Sequence, residues 1–423
     1  MTTQINAVYI SNEEQPAEGA QHNRQLLWLL AGLYLVQGIP VGLAFQAFPA
    51  LLRHAGAGLD LVAMVPLAAM PWVLKFFWAP LVENHWSDRW GRRRSWLIPL
   101  QLLSALTLAA MAMMPLDIHT AMPLLVLIGV LALLSSTQDI ATDGLATERL
   151  TSAALGFANI LQVGCFMLGM LVGGAVVMIA VEQLGHARTF VALAVLQLAC
   201  LVSVLRWRES APSEIQVVVP ARLAPFFKRP HVLLMLALTM SATMGGSVLF
   251  SLSKLVLLDA GWSMTDVGVI SGVGNSLMVI LGCLLVVPLV NRISPWSVLL
   301  IGLALLLISS FGWALLQYWQ MLTPPLAWII ALFTGLAIGI NAVASYTLMM
   351  QFARAGSQPG TDVAGFQATQ AFGDTAMAML GVALASSLGY QWALLLAVPI
   401  ALCCLVSVLI GQNRIHLAAL AIK

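Results

Sequence analysis

Apolar blocks alternate with short polar breaks along most of the chain. The blocks fall at 27–51, 59–83, 95–115, 121–142, 154–180, 187–205, 231–257, 264–290, 295–318, 325–350, 361–386 and 390–411. About 20 helical residues cross a hydrocarbon core of roughly 30 Å, and a helix satisfies its own backbone hydrogen bonds in lipid. The pattern therefore predicts an all-α membrane protein with twelve transmembrane helices.

The composition agrees with this pattern. The chain is 60% hydrophobic and 9% charged, whereas a soluble globular protein has roughly 25% charged residues. The five cysteines lie inside apolar blocks without a CxxC pair, so neither a metal site nor a redox couple is predicted. Phosphate-loop, HExxH and GxSxG motifs are absent from the sequence. We therefore expect no enzyme activity, no cofactor and no nucleic-acid partner, although a membrane enzyme and a signalling or scaffold protein stay as alternative classes.

Basic residues concentrate in every second polar break. If the amino terminus is cytoplasmic, the inner breaks hold Arg89, Arg92, Arg93, Arg94, Arg149, Arg206, Arg208, Arg222, Lys228, Arg229, Arg292 and Arg354. The outer breaks hold little beyond Arg53, Arg188 and Lys254. Cytoplasmic loops of membrane proteins carry such an excess. This asymmetry predicts cytoplasmic termini on a multi-pass protein, with tails at 1–26 and 412–423.

The longest interior break, at 206–230, contains proline, serine and mixed charge. It is typical of a cytoplasmic linker and would separate an N-terminal bundle at 27–205 from a C-terminal bundle at 231–411. The break SDRWGRRRS at 87–95 has a weak counterpart in NRISPWS at 291–297. We expect two duplicated six-helix halves, an arrangement that builds a site near the bilayer midplane.

Ionisable residues inside apolar blocks are costly and are usually functional. Asp139 and Asp143 lie one helical turn apart on the same face, and two neighbouring carboxyl groups suit a proton-coupled carrier. The alternative is that both acids form structural ion pairs with basic residues at the inner surface. Lys75 and Asp374 lie deep in the second and eleventh blocks. We expect Lys75 to pair with Asp374 or with Asp139 and to change partner during transport.

The loop at 87–95 carries an Asp-Arg-x-Gly-Arg-Arg string that resembles the signature loop of the major facilitator superfamily. This resemblance implies two pseudo-symmetric six-helix bundles, the major facilitator fold. It also implies a gating loop that latches one half against the other, formed by Asp88, Arg89, Gly91, Arg92 and Arg93. The alternative is a basic loop that only sets topology.

Three further strings narrow the resemblance: QGIPVGL at 37–43, PWVLKFFWAP at 71–80 and QDIATDG at 138–144. The third string resembles the fourth span of a branch that contains muropeptide permeases, acetyl-coenzyme A transporters and RhtX/FptX-type siderophore permeases, and the chain length and the first two strings look most like the last group. The resemblance implies a monomeric, proton-coupled importer of a metal–siderophore of the pyochelin or yersiniabactin type in the bacterial inner membrane. The alternative is a carrier of muropeptides, drugs or other amphipathic metabolites, or a siderophore exporter.

In the facilitator arrangement, spans one, four, seven and ten line a central cavity, with span two nearby. Flat aromatic rings and orienting amides in these spans suit a ring-containing cargo, although a single aromatic residue more often faces lipid. The predicted cavity residues are Tyr34, Gln37, Phe45, Gln46, Trp72, Phe76, Gln138, Asn341, Tyr346 and Gln351.

Overall fold

The computed structural model describes residues 16–54, 68, 70–207, 220–262, 264–289 and 292–421. Predictions that concern the first fifteen residues, the start of the second apolar block at 55–67 and most of the linker, at 208–219, lie outside the described residues.

Six helical segments precede the linker. They are α1 (Pro16–Gly42, a π-helical turn Leu43–Ala47 and Phe48–His54), α2 (Met70–Leu74, a 3₁₀ turn Lys75–Phe77 and Ala79–Asn84), α3 (Arg94–Met113), α4 (Ala121–Arg149), α5 (Ser152–Leu171, a π-helical turn Val172–Val176 and Val177–Leu184) and α6 (His186–Arg206).

Six more segments follow a short linker helix, Leu223–Lys228. They are α7 (Val232–Asp259), α8 (Met264–Val267, a π-helical turn Gly268–Gly274 and Asn275–Val286), α9 (Pro295–Tyr318), α10 (Pro324–Arg354), α11 (Pro359–Leu388) and α12 (Tyr390–Leu395 and Ala397–Ala421).

Nine of these segments in the described part of the chain are long and apolar enough to cross a membrane, judged by length and composition. The other three segments are α2 and α8, which 3₁₀ or π-helical turns interrupt, and α11, which carries Asp362 and Asp374. Large apolar side chains such as Leu106, Val195 and Ile308 are exposed on the outer surface. The chain is therefore a multi-pass membrane protein, and the count of twelve crossings stays a prediction.

Helices before the linker pack mainly on one another, as do those after it. In the first set α1 packs on α5, and α3 packs on α4 and α6; in the second set α8 and α9 pack on α10, and α7 packs on α11 and α12. The two sets meet where α4 and α2 contact α11 and where α5 contacts α8 and α10. Any cavity between the sets is therefore bounded by helices that can move with either one.

The contact between α1 and α5 depends on glycines four residues apart on both helices. A Cβ atom added to Gly38 would lie 2.1 Å from the Phe166 carbonyl oxygen, and one added to Gly169 would lie 1.9 Å from the Leu35 carbonyl oxygen. Only glycine permits this backbone approach, which is how small residues bring membrane helices together.

The irregular turn in α2 has a local cause in the sequence. Pro80 has no N–H to donate to the preceding turn, and the chain tightens into a 3₁₀ turn at Lys75–Phe77, where the Trp78 N–H donates to the Lys75 carbonyl oxygen. This turn leaves the Lys75 side chain buried, with 1% of its surface exposed.

Several helices extend past their predicted apolar blocks. The first helix begins at Pro16, inside the predicted amino-terminal tail, and α4 continues past residue 142 to Arg149. The last helix runs to Ala421, inside the predicted carboxyl-terminal tail. Hydropathy marks the part of a helix that lies in lipid, whereas backbone hydrogen bonding continues into polar sequence, so these helices are longer than the predicted spans.

Candidate functional site

A cavity of about 560 Å³ lies between the two sets of helices. Its lining comes from α1, α2, α4 and α5 on one side and from α7 to α11 on the other. The aromatic, amide, hydroxyl and charged side chains among the lining residues are Phe45, Trp72, Phe166, Phe250, Tyr346, Gln162, Asn275, Asn341, Gln367, Gln370, Thr243, Ser247, Ser251, Ser276, Thr375, Lys75, Asp139 and Asp374. The surface is amphipathic and falls in the size range of small-molecule sites, roughly 300–1,000 Å³.

A buried ion pair lies at the floor of this cavity. The Lys75 ammonium on α2 contacts the Asp139 carboxylate on α4, and the two side chains are 2% and 4% exposed. Lys75 also donates to the Gln367 amide oxygen on α11, and its ammonium lies 5.0 Å from the centre of the Trp72 ring. One lysine therefore joins both sets of helices.

Asp143 extends the cluster by one helical turn. Its Oδ1 atom accepts hydrogen bonds from the Tyr34 hydroxyl and the Gln162 amide, both at 2.9 Å. Its Oδ2 atom accepts from the Gln367 amide nitrogen at 2.7 Å. Gln367 therefore bridges Lys75 and Asp143 with its two amide atoms, and the cluster contains one basic group and two carboxyl groups.

Asp374 lies on the same face of α11 as Gln367 but seven residues further along. Seven residues correspond to two turns, or about 10 Å of helix. Of the two pairings predicted for Lys75, the structure contains the one with Asp139. Asp374 instead interacts with the hydroxyls of Thr243 and Ser247 on α7.

Four predicted cavity residues line the cavity: Phe45, Trp72, Asn341 and Tyr346. The Trp72 ring packs edge to face on the Phe166 ring at 5.5 Å, and Phe166 also lines the cavity. The Asn341 amide donates to the Ala242 carbonyl oxygen on α7, which ties α10 to α7.

Three predicted cavity residues lie below the floor rather than in the lining. Tyr34 donates to Asp143, Gln37 donates to the Thr142 hydroxyl at 3.0 Å, and Gln138 donates to the Leu33 carbonyl oxygen at 3.4 Å. All three are buried. They hold α1 against α4 and so support Asp139 and Asp143 from behind.

The remaining three predicted cavity residues are also outside the lining. Gln46 lies against Gly174 of α5, and the Phe76 ring packs on the linker helix, 5.4 Å from the Phe226 ring. Gln351 is half-buried near the end of α10 that adjoins the charged loop. Consecutive helical residues point about 100° apart, so neighbouring polar residues lie on different faces of a helix. The sequence does not show which of these faces is turned toward the cavity.

Four amides of the cavity lining were not predicted from the sequence: Gln162, Asn275, Gln367 and Gln370. They lie on α5, α8 and α11, whereas the predicted cavity residues lie on spans one, two, four and ten. A signal was present, since Gln367, Gln370 and Asp374 are spaced by three and four residues and so share one face of a helix.

A second charged cluster closes the end of the molecule that carries the 87–95 loop. Arg93 is fully buried and donates to Glu148 at 2.6 and 3.0 Å and to Glu83 at 3.1 Å. Arg92 contacts the same two acids at 2.9 and 2.5 Å. Gly144 of α4 makes room for the Arg93 guanidinium, because an added Cβ would lie 2.4 Å from it.

Glu83 also reaches the second set of helices. Its Oε1 atom accepts hydrogen bonds from the backbone N–H groups of Gly360 at 2.5 Å and Thr361 at 3.2 Å. These are free donors in the first turn of α11, where a negative charge is favoured. Glu83 therefore caps a helix of one set while it binds the arginines of the other.

The five predicted gating-loop residues thus divide into two groups. Arg92 and Arg93 form the cluster, and Gly91 provides a turn with φ of 92°, a conformation that favours glycine. Asp88 and Arg89 are exposed. The helix-capping acid at this surface is Glu83 rather than Asp88, and the gating role of the loop stays a prediction.

Further contacts between the two sets lie at the same end. Arg354 at the end of α10 donates to the Leu150 carbonyl oxygen beyond α4, and the linker is tied to α2 by Asn84, whose amide bonds the Ala221 backbone at 2.6 and 2.8 Å. The cavity is therefore closed toward the charged loop, whereas Phe45 in its lining, further from that loop, is 52% exposed.

Comparison with known proteins relates the first part of the chain to a family. Residues 26–184 match the family described as Acetyl-coenzyme A transporter 1. The chain is 29% identical over 305 residues to the anhydromuropeptide permease of Escherichia coli K12, a match that covers 70% of this chain and 61% of that permease. The match thus spans less than two thirds of the relative's length.

Solved structures are similar over most of the chain. The transporter FucP in its outward conformation gives a TM-score of 0.66 at 12% identity and covers 92% of this chain and 98% of its own. The proton:xylose symporter XylE gives 0.68 at 12% identity and covers 92% and 95%. The chain therefore has the major facilitator fold, as its loop predicted, whereas the resemblance to siderophore permeases is not confirmed.

Proposed function

We propose that this chain is a secondary transporter that moves an amphipathic small molecule of the anhydromuropeptide class across the bacterial inner membrane by alternating access. In this proposal it acts as a monomer with both termini in the cytoplasm. The observation that carries the proposal is the Lys75–Asp139 ion pair, which lies at the cavity floor and reaches the second set of helices through Gln367. Within this cluster the two sets are linked by the hydrogen bond from the Lys75 ammonium to Gln367, which can be broken and remade as the halves move.

Proton coupling would use the charge balance of this cluster. Lys75, Asp139 and Asp143 together carry one positive and two negative charges when all are ionised, so one bound proton makes the cluster neutral. A proton on either carboxyl group would change the charge balance around Lys75 and Gln367, and the Gln367 bonds to Lys75 and Asp143, which join α11 to α2 and α4, could then break. The charged cluster at Glu83 and Arg93 would have to open in the same step, because it joins α11 to the same two helices.

The cargo class is argued from the cavity and the relatives. The cavity combines aromatic rings with several amides and hydroxyls, which suits a molecule with sugar rings and peptide groups. The matched permease is named for anhydromuropeptides. Import of a metal–siderophore, expected from the sequence resemblance, is the second candidate, and the aromatic side chains of the cavity are the observation that favours it.

Uptake by purified protein in sealed vesicles tests the proposal. Proteoliposomes with an alkaline interior would be given radiolabelled anhydromuropeptide in one arm and the ferric complex of a phenolate–thiazoline siderophore in another. We expect the muropeptide to accumulate above the level of protein-free vesicles and a protonophore to abolish the accumulation. Accumulation of the ferric siderophore alone would favour the second candidate, and accumulation of neither would overturn the proposed transport activity.

A further inference from the structure

Asp374 is an acidic group that neither the ion pair nor the charged loop cluster uses. It lines the cavity from α11, about two helical turns from Gln367 and hence about 10 Å along the helix from the Lys75 cluster. A carboxylate at this place in a membrane protein is costly to keep. Its position on the cavity wall suggests contact with the cargo.

The partners of Asp374 satisfy only part of its carboxylate. The hydroxyls of Thr243 and Ser247, one turn apart on α7, lie beside it, although each hydroxyl also donates to a backbone carbonyl oxygen of its own helix. Its Oδ1 atom is buried and has no hydrogen-bond partner among the described residues. Burying a carboxylate oxygen without a donor is unfavourable, so a donor that approaches from the cavity would be bound strongly.

No basic residue of the described cavity lining is available to Asp374. Lys75 is the one lysine or arginine there, and it is bound to Asp139 and Gln367. Thr243 and Ser247 add no charge. Around Asp374 the described lining therefore offers hydroxyl groups but no cation, since the ammonium of Lys254, further along α7, lies over the Phe250 ring at 3.8 Å. A carboxylate without a cation of its own favours an ammonium group.

We propose that Asp374, held by Thr243 and Ser247, is the subsite for a primary ammonium group of the cargo. The inference rests on the proposed transport function and narrows it: the cargo carries a free amine, as a peptide with a lysine-like side chain does. A ferric siderophore of the phenolate–thiazoline type has no primary amine to offer. The subsite would orient the cargo with its amine toward α7 and α11.

Two matched probes test the subsite. One is a synthetic anhydromuramyl tripeptide that ends in lysine with a free side-chain amine, and the other is the same molecule with that amine acetylated. Binding would be followed by quenching of tryptophan fluorescence with the protein in lipid nanodiscs. We expect the free amine to bind about tenfold more tightly or better, the size of one charge-assisted hydrogen bond.

Variants assign the preference to Asp374. The substitution Asp374→Asn should abolish the difference between the probes while affinity for the acetylated probe stays within about twofold, and Asp374→Glu should keep part of it. The matched control is Asp259→Asn, which removes an exposed acid at the end of α7, where it accepts from Tyr390 at 2.6 Å. This control should keep the full preference. Unchanged binding of the acetylated probe shows that each variant is folded.

The outcomes separate this inference from the proposed function. Equal binding of both probes to the unmodified protein, or a preference that survives Asp374→Asn, overturns the subsite even if anhydromuropeptide uptake is intact. Absence of both binding and vesicle uptake for either probe overturns the proposed cargo class and the subsite together.

Discussion

Lys75 is the only basic residue in the described lining of the cavity, and its surroundings account for its burial. Removing an ammonium or a carboxylate from water costs roughly several kcal/mol per ion. The attraction between the two ions offsets this cost only when further hydrogen bonds satisfy their remaining donors and acceptors. Gln367 provides such a bond, and Trp72 places an aromatic ring 5.0 Å away. The pair therefore depends on both members being present.

We expect Lys75→Met to be more harmful than the combined change Lys75→Met and Asp139→Asn. The single change leaves a buried carboxylate without its cation, which typically costs about 3–5 kcal/mol, whereas the double change removes both charges. Thermal unfolding of the purified variants gives the comparison, and a double-mutant cycle with Asp139→Asn alone gives the coupling. Equal destabilisation by the single and double changes would mean that the carboxylate left behind by Lys75→Met carries no penalty, which would contradict the expectation. Both variants should lose proton-driven uptake.

The sequence identified the charged residues of the site and offered Asp139 as one of two partners for Lys75, but it did not identify Gln367. Lys75, Asp139 and Asp143 could be found because an ionisable residue in an apolar block is conspicuous. Gln367 could not be assigned the same way, since a neutral amide is common in membrane helices that pack together. Its role depends on α11 crossing against α2 and α4, a tertiary contact that no local pattern encodes.

At the scale of helices, the contact between α1 and α5 is set by glycine spacing. Gly169 lies against the α1 backbone, whereas an added Cβ at Gly164, on the same helix, would meet nothing within 4 Å. The two positions have the same residue type in the same helix, so they form a matched pair.

We expect Gly169→Ala to destabilise the protein and Gly164→Ala to leave it unchanged or slightly more stable. The first forces α1 and α5 apart, and overpacking of this kind costs about 1–3 kcal/mol. The second adds helix propensity, up to about 1 kcal/mol. Melting temperatures in the same detergent give the comparison. Similar losses for both variants would contradict close packing as the cause.

Helix type and order followed from the apolar blocks, but interruptions within helices did not. Each described apolar block became helix, because length and hydropathy leave a membrane segment few alternatives. The π-helical turns at Leu43–Ala47 and Val172–Val176 occur where α1 and α5 pack on each other. Such turns respond to packing against a neighbour, which the block pattern does not contain.

At the scale of the molecule, the polar contacts between the two sets of helices concentrate on one side of the cavity. Glu83 binds the first turn of α11, and Arg354 binds the Leu150 carbonyl oxygen. Burial by itself lowers the pKa of Arg93, but the carboxylates of Glu148 and Glu83 more than offset this and hold that pKa above its ordinary value. Arg93 therefore stays charged at any physiological pH, and opening this side must separate or move an intact ion cluster.

We expect Glu83→Gln to shift the population toward a state that is open on the side of the charged loop. The introduced amide oxygen can still accept from the α11 N–H groups, but the side chain loses its charge-assisted bonds to Arg92 and Arg93. Each loss of about 1.4 kcal/mol in the free energy that favours the closed state changes the ratio of closed to open states about tenfold. Spin labels at two exposed positions near this side, introduced as Arg206→Cys and Ser357→Cys in a background without native cysteines, report the separation of the two sets. The distance distribution should gain a longer component.

The control is Asp88→Asn, which removes an exposed acid from the same loop and should leave the distribution as it is. The same shift from both changes would show that loop charge in general holds the molecule closed. A shift from neither change would show that some other contact does so.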